Sequence, residues 1–186
     1  MKNKVLFAGG RQVYIRPLEL KDINKKYVRW INDQDLSGHL EANRFPNSIK
    51  DLKNYYESAK SSKNTVLFAI CLKKNNEHIG NCSLTNIDWV NRRAQYGRVI
   101  GVKYKNLKGV GTEVLNILQE YAFEKINLNS IWTGVNQKNI ASIKSNKKAG
   151  MKKIGSFPES IFYNGRFENM VLFSMTKKDF KIKNKR

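Results

Sequence analysis

Acidic side chains are scarce in this chain: 15 Asp and Glu stand against 35 Lys and Arg, a formal charge of +20 over 186 residues. A field of that sign attracts anions and repels cations, so a polyphosphate ligand, an RNA surface or an acidic partner suits it, and a free polycation needs a locally acidic pocket. Cysteine is equally sparse. Cys71 and Cys82 lie inside strand-like runs without metal-ligand spacing, which excludes a disulfide framework and a zinc site and leaves two reduced, half-buried small hydrophobes. Of the two histidines, His78 follows a polar turn and is expected to be exposed, and His39 falls in a loop; neither has a visible partner. No apolar run reaches the length of a membrane span, and Met1 to Phe7 lack the long apolar region of a signal peptide, so a cytoplasmic protein without a membrane span is expected. Recognisable nucleic-acid motifs are missing too, so the basic charge is not read as an RNA interface.

The 40% of hydrophobic residues suffices for one core, and a single domain over residues 1–186 follows, with a folded part over about 11–180 and a disordered basic tail, Lys181 to Arg186. Gln12 to Leu18 reads as a first strand stopped near Pro17. Asp22 is placed to cap a helix carrying Ile23, Tyr27, Trp30 and Ile31 on one face, and Ser48 with Asp51 forms an acidic capping box for a second helix through Leu52, Tyr56 and Ala59. Strands Thr65 to Lys73 and His78 to Asn86 follow, joined at Asn75 and Asn76. A strand from Ser130 to Val135, a helix from Asn139 to Ala149 ended by Gly150, and a hairpin of Met151 to Phe157 with Glu168 to Thr176 around Asn164 and Gly165 complete the pattern. The expected class is α/β of the α+β type: a mostly antiparallel mixed sheet of about seven strands with flanking helices.

The segment from Lys105 to Glu113 carries the chemistry. Before it, Ala94 to Val102 alternates as a strand, with Tyr96, Arg98 and Ile100 on one face; after it, Val114, Leu115, Leu118, Tyr121, Ala122 and Lys125 fall at helical spacing. A strand turning into a helix presents unpaired N–H groups at the positive end of the helix dipole, and Gly109 and Gly111 let a pyrophosphate approach them. Thr112 follows Gly111 directly, so the Gly-Lys-Ser/Thr ending of a P-loop is missing, as is a three-glycine dinucleotide fingerprint.

The order strand, Asn106-Leu107-Lys108-Gly109-Val110-Gly111, helix, strand, then Asn139-Ile140-Ala141-Ser142-Ile143 and Lys148-Ala149-Gly150-Met151, resembles the GNAT acetyltransferase superfamily from about Arg11 to Phe180. The segments Arg29 to Asp33, Ile79 to Asn81, Asn86 to Trp89 and Asn164 to Phe167 are similar to the branch of ribosomal-protein N-terminal and amino-sugar acetyltransferases. The resemblance implies acetyl-CoA as donor, held by Lys105, Asn106, Leu107, Lys108, Gly109, Val110, Gly111 and Thr112, by Ile100 and Val102 at the strand end, and by Asn139 and Ser142. It implies acceptor contacts at Trp30, Asp33, Asn86 and Gln95. This chain departs from the family's pattern at Asn106, where Gln or Arg is usual, a loss that Lys105 or Lys108 can compensate. It departs again at Met151, where an aromatic is usual, and at Asn146, where many relatives carry a tyrosine that protonates the leaving thiolate.

An amide cannot act as that acid. Ser142 is the remaining hydroxyl for the sulfur. Gln95 stands where several relatives have a glutamate base, which leaves Asp88, directly or through water, as the candidate base, or else a turn-forming aspartate before Trp89. The anionic preference and the branch resemblance together point to the primary amine of a nucleotide-linked amino sugar. Alternatives are a ribosomal-protein N-terminus, a cationic amine held by Asp33, Asp35 and Glu41, a non-catalytic acetyl-CoA sensor and an RNA-binding module. The chain is free to form a homodimer.

Overall fold

The computed structural model describes residues 7–37, 45–104 and 106–184, with the side chains of Asp35, Ser37 and Val102 left aside. Val13–Pro17 (β2) pairs with the two-residue Ala8–Gly9 (β1) on one side and with Val66–Leu72 (β3) on the other. The sequence of β3, Val-Leu-Phe-Ala-Ile-Cys-Leu, is apolar throughout because its last five residues, Phe68 to Leu72, are buried whichever face they occupy. His78–Asp88 (β4), Arg93–Ile100 (β5), Ser130–Asn136 (β6), Lys152–Tyr163 (β7) and Arg166–Thr176 (β8) complete an eight-stranded sheet in the order β1-β2-β3-β4-β5-β6-β8-β7. The extra strand over the expected seven is β1, too short to leave a period-2 pattern.

Every pairing is antiparallel except β5 with β6. That parallel pair lasts only from Arg93 and Ser130 to Gln95 and Trp132, while β4 stays bonded to β5 as far as Ile100 and β8 to β6 as far as Asn136. The two middle strands therefore separate beyond Gln95. Each keeps its outer partner, so a wedge opens inside the sheet.

Lys25–Asn32 (α1), Gln34–Ser37 (α2), Ile49–Ser61 (α3), Val110–Glu120 (α4), Ile140–Lys148 (α5) and Lys177–Asn184 (α6) surround the sheet. The core joins Phe68, Ile70 and Leu84 of the sheet to Val114, Leu115 and Leu118 of α4. Ser48 and Asp51 form the expected capping box of α3. Asn24, not Asp22, caps α1, accepting from the N–H groups of Lys26 and Tyr27. Asp22 lies in the preceding turn, where Arg16 bonds it bidentately at 2.6 and 2.8 Å and the Glu19 N–H donates at 2.9 Å. A buried carboxylate needs those donors more than a helix end does. After α4 the chain makes a π-turn, Tyr121–Lys125, whose extra residue rotates the apolar stripe: Phe123 is buried and Lys125 exposed, contrary to the helical spacing. Residues 181–184, expected to be disordered, belong to α6. Lys183 Nζ there donates to Asn116, Gln119 and the Ala149 carbonyl, and burial pushes its pKa down.

Both cysteines are fully buried rather than half-buried, and burial pushes the Cys82 thiol up to about 12, leaving it inert. His78 is mostly covered rather than exposed, its side chain 12% accessible, edge-on to Trp30 at 5.2 Å and bonded to Asn81 at 2.9 Å; the turn before it is polar, but the side chain points inward.

The cluster gives stability a pH dependence. Burial holds His78 below its ordinary value, against the pull of Asn81 and Asp22, so the unfolded chain takes up that proton first and stability declines as pH falls below about 6.5. Burial alone would raise Asp22, but Arg16 and the Glu19 N–H outweigh it and hold the carboxyl low. Its contribution is complete above about pH 4 and is lost as pH falls through the depressed value. Urea midpoints are expected to drop moderately from pH 7 to 5 and steeply below 4. In His78→Gln only the first decline should vanish; its persistence would place the titrating group elsewhere.

Candidate active site

The wedge between β5 and β6 is the mouth of a cavity of about 690 Å³. Its walls are Gln95 to Ile100 of β5, Thr133 to Asn136 of β6, the loop before α4, and α5; Leu36 of α2 closes one side. Gly109 caps α4 in the left-handed conformation, φ +84°, with no side chain over the helix end. The first helical bond runs from the Glu113 N–H to the Gly109 carbonyl, so the amides of Val110, Gly111 and Thr112 remain for a ligand. Glu113 turns backward instead of capping. Its Oε1 accepts from the N–H groups of Gln12 at 2.7 Å and Val13 at 2.9 Å, which anchors the loop to β2.

Arg98 is the residue that sequence reasoning passed over. Its Nη1 donates to the Gly111 carbonyl and its Nη2 to Ser145 Oγ at 2.8 Å, tying the start of α4 to α5 across the cavity. The signal was its place between Tyr96 and Ile100 on the inward face of β5, where a strand pattern shows orientation but no partner. With Lys108, Lys144 and Lys148, all exposed at the rim, it makes the cavity strongly cationic; no Asp, Glu or His lines it among the described residues.

The predicted donor residues converge. Ile100, Asn106, Leu107, Lys108, Gly109, Gly111 and Thr112 reach the cavity, as do Asn139 and Ser142, whereas Val110 turns into the core at 1% exposure. Val102 belongs to a short 3₁₀ turn past the end of β5 rather than to the strand, and Lys105 lies outside the described residues, as do His39 and Glu41. Asn139 caps α5 by accepting from the Ser142 N–H at 3.0 Å, which directs the Ser142 side of the helix toward the cavity.

The acceptor residues scatter. Gln95 lines the cavity and accepts from Asn86 Nδ2 at 3.1 Å, which fixes its amide. Trp30 is packed in the core at 6% exposure beneath Gly101, where an added Cβ would fall 2.3 Å from its indole nitrogen. Asp33 accepts from the Leu36 N–H at 2.9 Å and so orients α2. Asp88 is the last residue of β4, paired with Arg93 and away from the cavity lining. Its oxygens take the Asn91 backbone and side-chain N–H groups and Arg93 Nε, and these bonds hold its carboxyl below the usual range. Those contacts favour the turn-forming role. Of the two tyrosines lining the cavity, Tyr96 and Tyr104, the second is raised to about 12 by burial and by donating to Glu77, so its hydroxyl is engaged.

A parallel pair that parts at its middle, a glycine-opened helix end at one side of the gap and an Asn-capped helix at the other describe a site for a long phosphorylated donor. The profile of the acetyltransferase (GNAT) domain matches residues 12–152. The chain belongs to the GNAT acetyltransferases. An uncharacterized N-acetyltransferase p20 of Bacillus licheniformis is 26% identical over 168 residues, 89% of this chain and 93% of that one. The spermidine N(1)-acetyltransferase of Escherichia coli K12 is 23% identical over 163 residues, covering 88% and 85%. Among solved structures, spermidine N-acetyltransferase from Vibrio cholerae, in complex with CoA and spermine, superposes with a TM-score of 0.83 at 20% identity over 91% of this chain and 98% of that one, a likeness of fold. These GNAT relatives establish an acetyl-CoA-dependent N-acetyltransferase without singling out the ribosomal-protein or amino-sugar branch.

The residues present fit acetyl-CoA as cosubstrate. Free first-turn amides and rim lysines suit its phosphates, and the gap between β5 and β6 suits an extended arm.

Proposed function

We propose that this GNAT enzyme transfers the acetyl group to the primary amine of a nucleotide-linked amino sugar. The observation that carries this reading is the charge of the cavity: Arg98, Lys108, Lys144 and Lys148 line it, and no acidic side chain does so among the described residues. Among the described residues the cavity offers a polycation no carboxylate for its non-reacting amines, whereas a nucleotide diphosphate brings charge of the matching sign. The same field lowers the proton affinity of a bound amine and so favours the neutral, nucleophilic form. With Asp88 turned away, water takes the amine proton, and the Ser142 hydroxyl is the group offered to the departing sulfur.

A second reading, a polyamine acceptor, is favoured by the names of the spermidine acetyltransferases among the relatives. Thiol release with UDP- and TDP-amino sugars, spermidine and N-terminal peptides of ribosomal proteins, each at two salt concentrations, separates the cases. The expected result is preferential turnover of a nucleotide sugar, with KM rising severalfold as salt shortens the screening length from about 10 Å at 0.1 M. Preferential turnover of spermidine or of a peptide would overturn the sugar assignment and leave the acetyltransferase standing.

A further inference from the structure

Asn146 is 1% exposed and lines the cavity, and neither its Oδ1 nor its Nδ2 has a partner among the described residues. Each unpaired buried polar group costs about 1–3 kcal/mol. Its neighbour Asn136 is different: although its Nδ2 is unpaired, its Oδ1 accepts from the Lys138 N–H at 2.8 Å, which gives it a structural use. Asn146 has none within the protein among the described residues, which leaves both amide atoms to whatever enters the cavity.

Depth in the cavity tells which part of the ligand. Lys108, Lys144, Lys148 and the glycine amides form the exposed rim, where phosphates keep their counter-charges. Tyr96, Thr133, Asn136 and Asn146, at 4%, 7%, 2% and 1% exposure, form the bottom. The cation beside them, Arg98, 5.8 Å from the Tyr96 ring, already spends Nη1 on the Gly111 carbonyl and Nη2 on Ser145 Oγ, so an ionised phosphate would lose its hydration there without a free counter-charge among the described residues, and the uncharged thioester end belongs at the bottom. The atom of that end that departs with charge is the sulfur.

We infer that Asn146 Nδ2 donates a hydrogen bond to the thioester sulfur, one that strengthens as the C–S bond breaks, so that the sulfur leaves as a thiolate. This deepens the acetyltransferase reading and rests on it. The amine lone pair forms the new N–C bond and the C–S electron pair passes to sulfur. The surplus proton on nitrogen goes to water, and the free thiolate is protonated by water after release; Asn146 gives up no proton. Ser142, one helical turn earlier, faces the same sulfur as a second donor.

Asn146→Leu and the near-isosteric Asn146→Asp test this by three measurements: thermal unfolding without ligand, ultraviolet titration of the bound CoA thiol, and steady-state kinetics. In the wild type the bound thiol should have a proton affinity roughly tenfold below that of free CoA. Asn146→Leu should abolish this lowering and reduce kcat roughly a hundredfold at unchanged KM for acetyl-CoA. The unliganded protein should be as stable as before or more so, because two unpaired groups are gone. Asn146→Asp should raise the thiol's proton affinity above that of free CoA by placing a carboxylate beside it, and it decides the same question should the leucine variant not fold. Loss of unliganded stability in step with activity would make Asn146 structural, and a higher KM with unchanged kcat would move it to the pantetheine arm; either overturns the inference. So does an unaltered thiol titration in both variants. A wild type that binds no CoA would overturn the acetyltransferase reading itself.

Discussion

Gly111→Val is expected to abolish acetyl-CoA binding. A Cβ at Gly111 would lie 3.1 Å from Arg98 Cζ and Nη1 and 3.2 Å from Nη2, tighter than nine in ten real Cβ contacts, so the guanidinium must give way by a few tenths of an ångström, and the two methyl groups of valine add bulk at the cavity wall. Arg98 holds the Gly111 carbonyl and Ser145 Oγ together, so its displacement loosens the start of α4 from α5 as well as crowding the first-turn amides. Affinity for CoA should fall at least about a hundredfold, about 2.7 kcal/mol. Overpacking should also lower stability by about 1–3 kcal/mol, so the fold is not left untouched. Gly155→Val is the control, since a Cβ there meets nothing within 4 Å. Calorimetry with CoA at a temperature where circular dichroism shows both variants folded decides the matter. Wild-type affinity in Gly111→Val would remove this helix start from the donor site.

Ser142→Ala is expected to lower turnover roughly ten- to a thousandfold with little change in acetyl-CoA affinity. The fold has no use for the hydroxyl. The Ser142 N–H goes to Asn139, its carbonyl takes the Ser145 hydroxyl at 3.0 Å, and its own Oγ makes no hydrogen bond within the protein among the described residues. Alanine is also the better helix former, by a few tenths of a kcal/mol, so stability should hold or rise slightly. A fall in affinity alone would make Ser142 a binding residue; a wild-type rate would remove it from the chemistry. The combination with Asn146→Leu is informative, because two donors to one sulfur should show effects that do not add.

Much of the frame could be read from local chemistry. The capping box at Ser48 and Asp51, the Asn139 cap, the left-handed Gly150 at φ +85° and the strand-to-helix passage through Gly109 and Gly111 each depend on residues within a few positions of one another, where spacing dictates geometry. The last of those junctions pointed to the loop that lines the cavity. The amphipathic stripes of α1 and α3 followed in the same way from the period of their apolar residues.

Several of the differences share a cause: a partner outside the local pattern claims the side chain. Asp22 has the right type for a helix cap, but Arg16, six residues away and brought alongside by β2, claims it, and Asn24 takes the helix end instead. Trp30 has the amphipathic surface of an acceptor contact yet lies under Gly101, across the sheet, in the core. Arg98 faces the cavity because of an alternation visible in the sequence, but its bonds to Gly111 and Ser145 span separations of 13 and 47 residues.

The sequence by itself determined the order of the main strands and helices, the glycine-opened helix end, the caps of α3 and α5 and a charge suited to phosphates, since all of these arise from backbone conformation, short-range bonding and composition. Only the tertiary structure decided that β5 and β6 part after Gln95, that Arg98 bridges two helices across the opening and that Asn146 is buried at its bottom with both amide atoms unpaired. Burial and strand divergence are set by contacts among many elements at once. No local pattern encodes them.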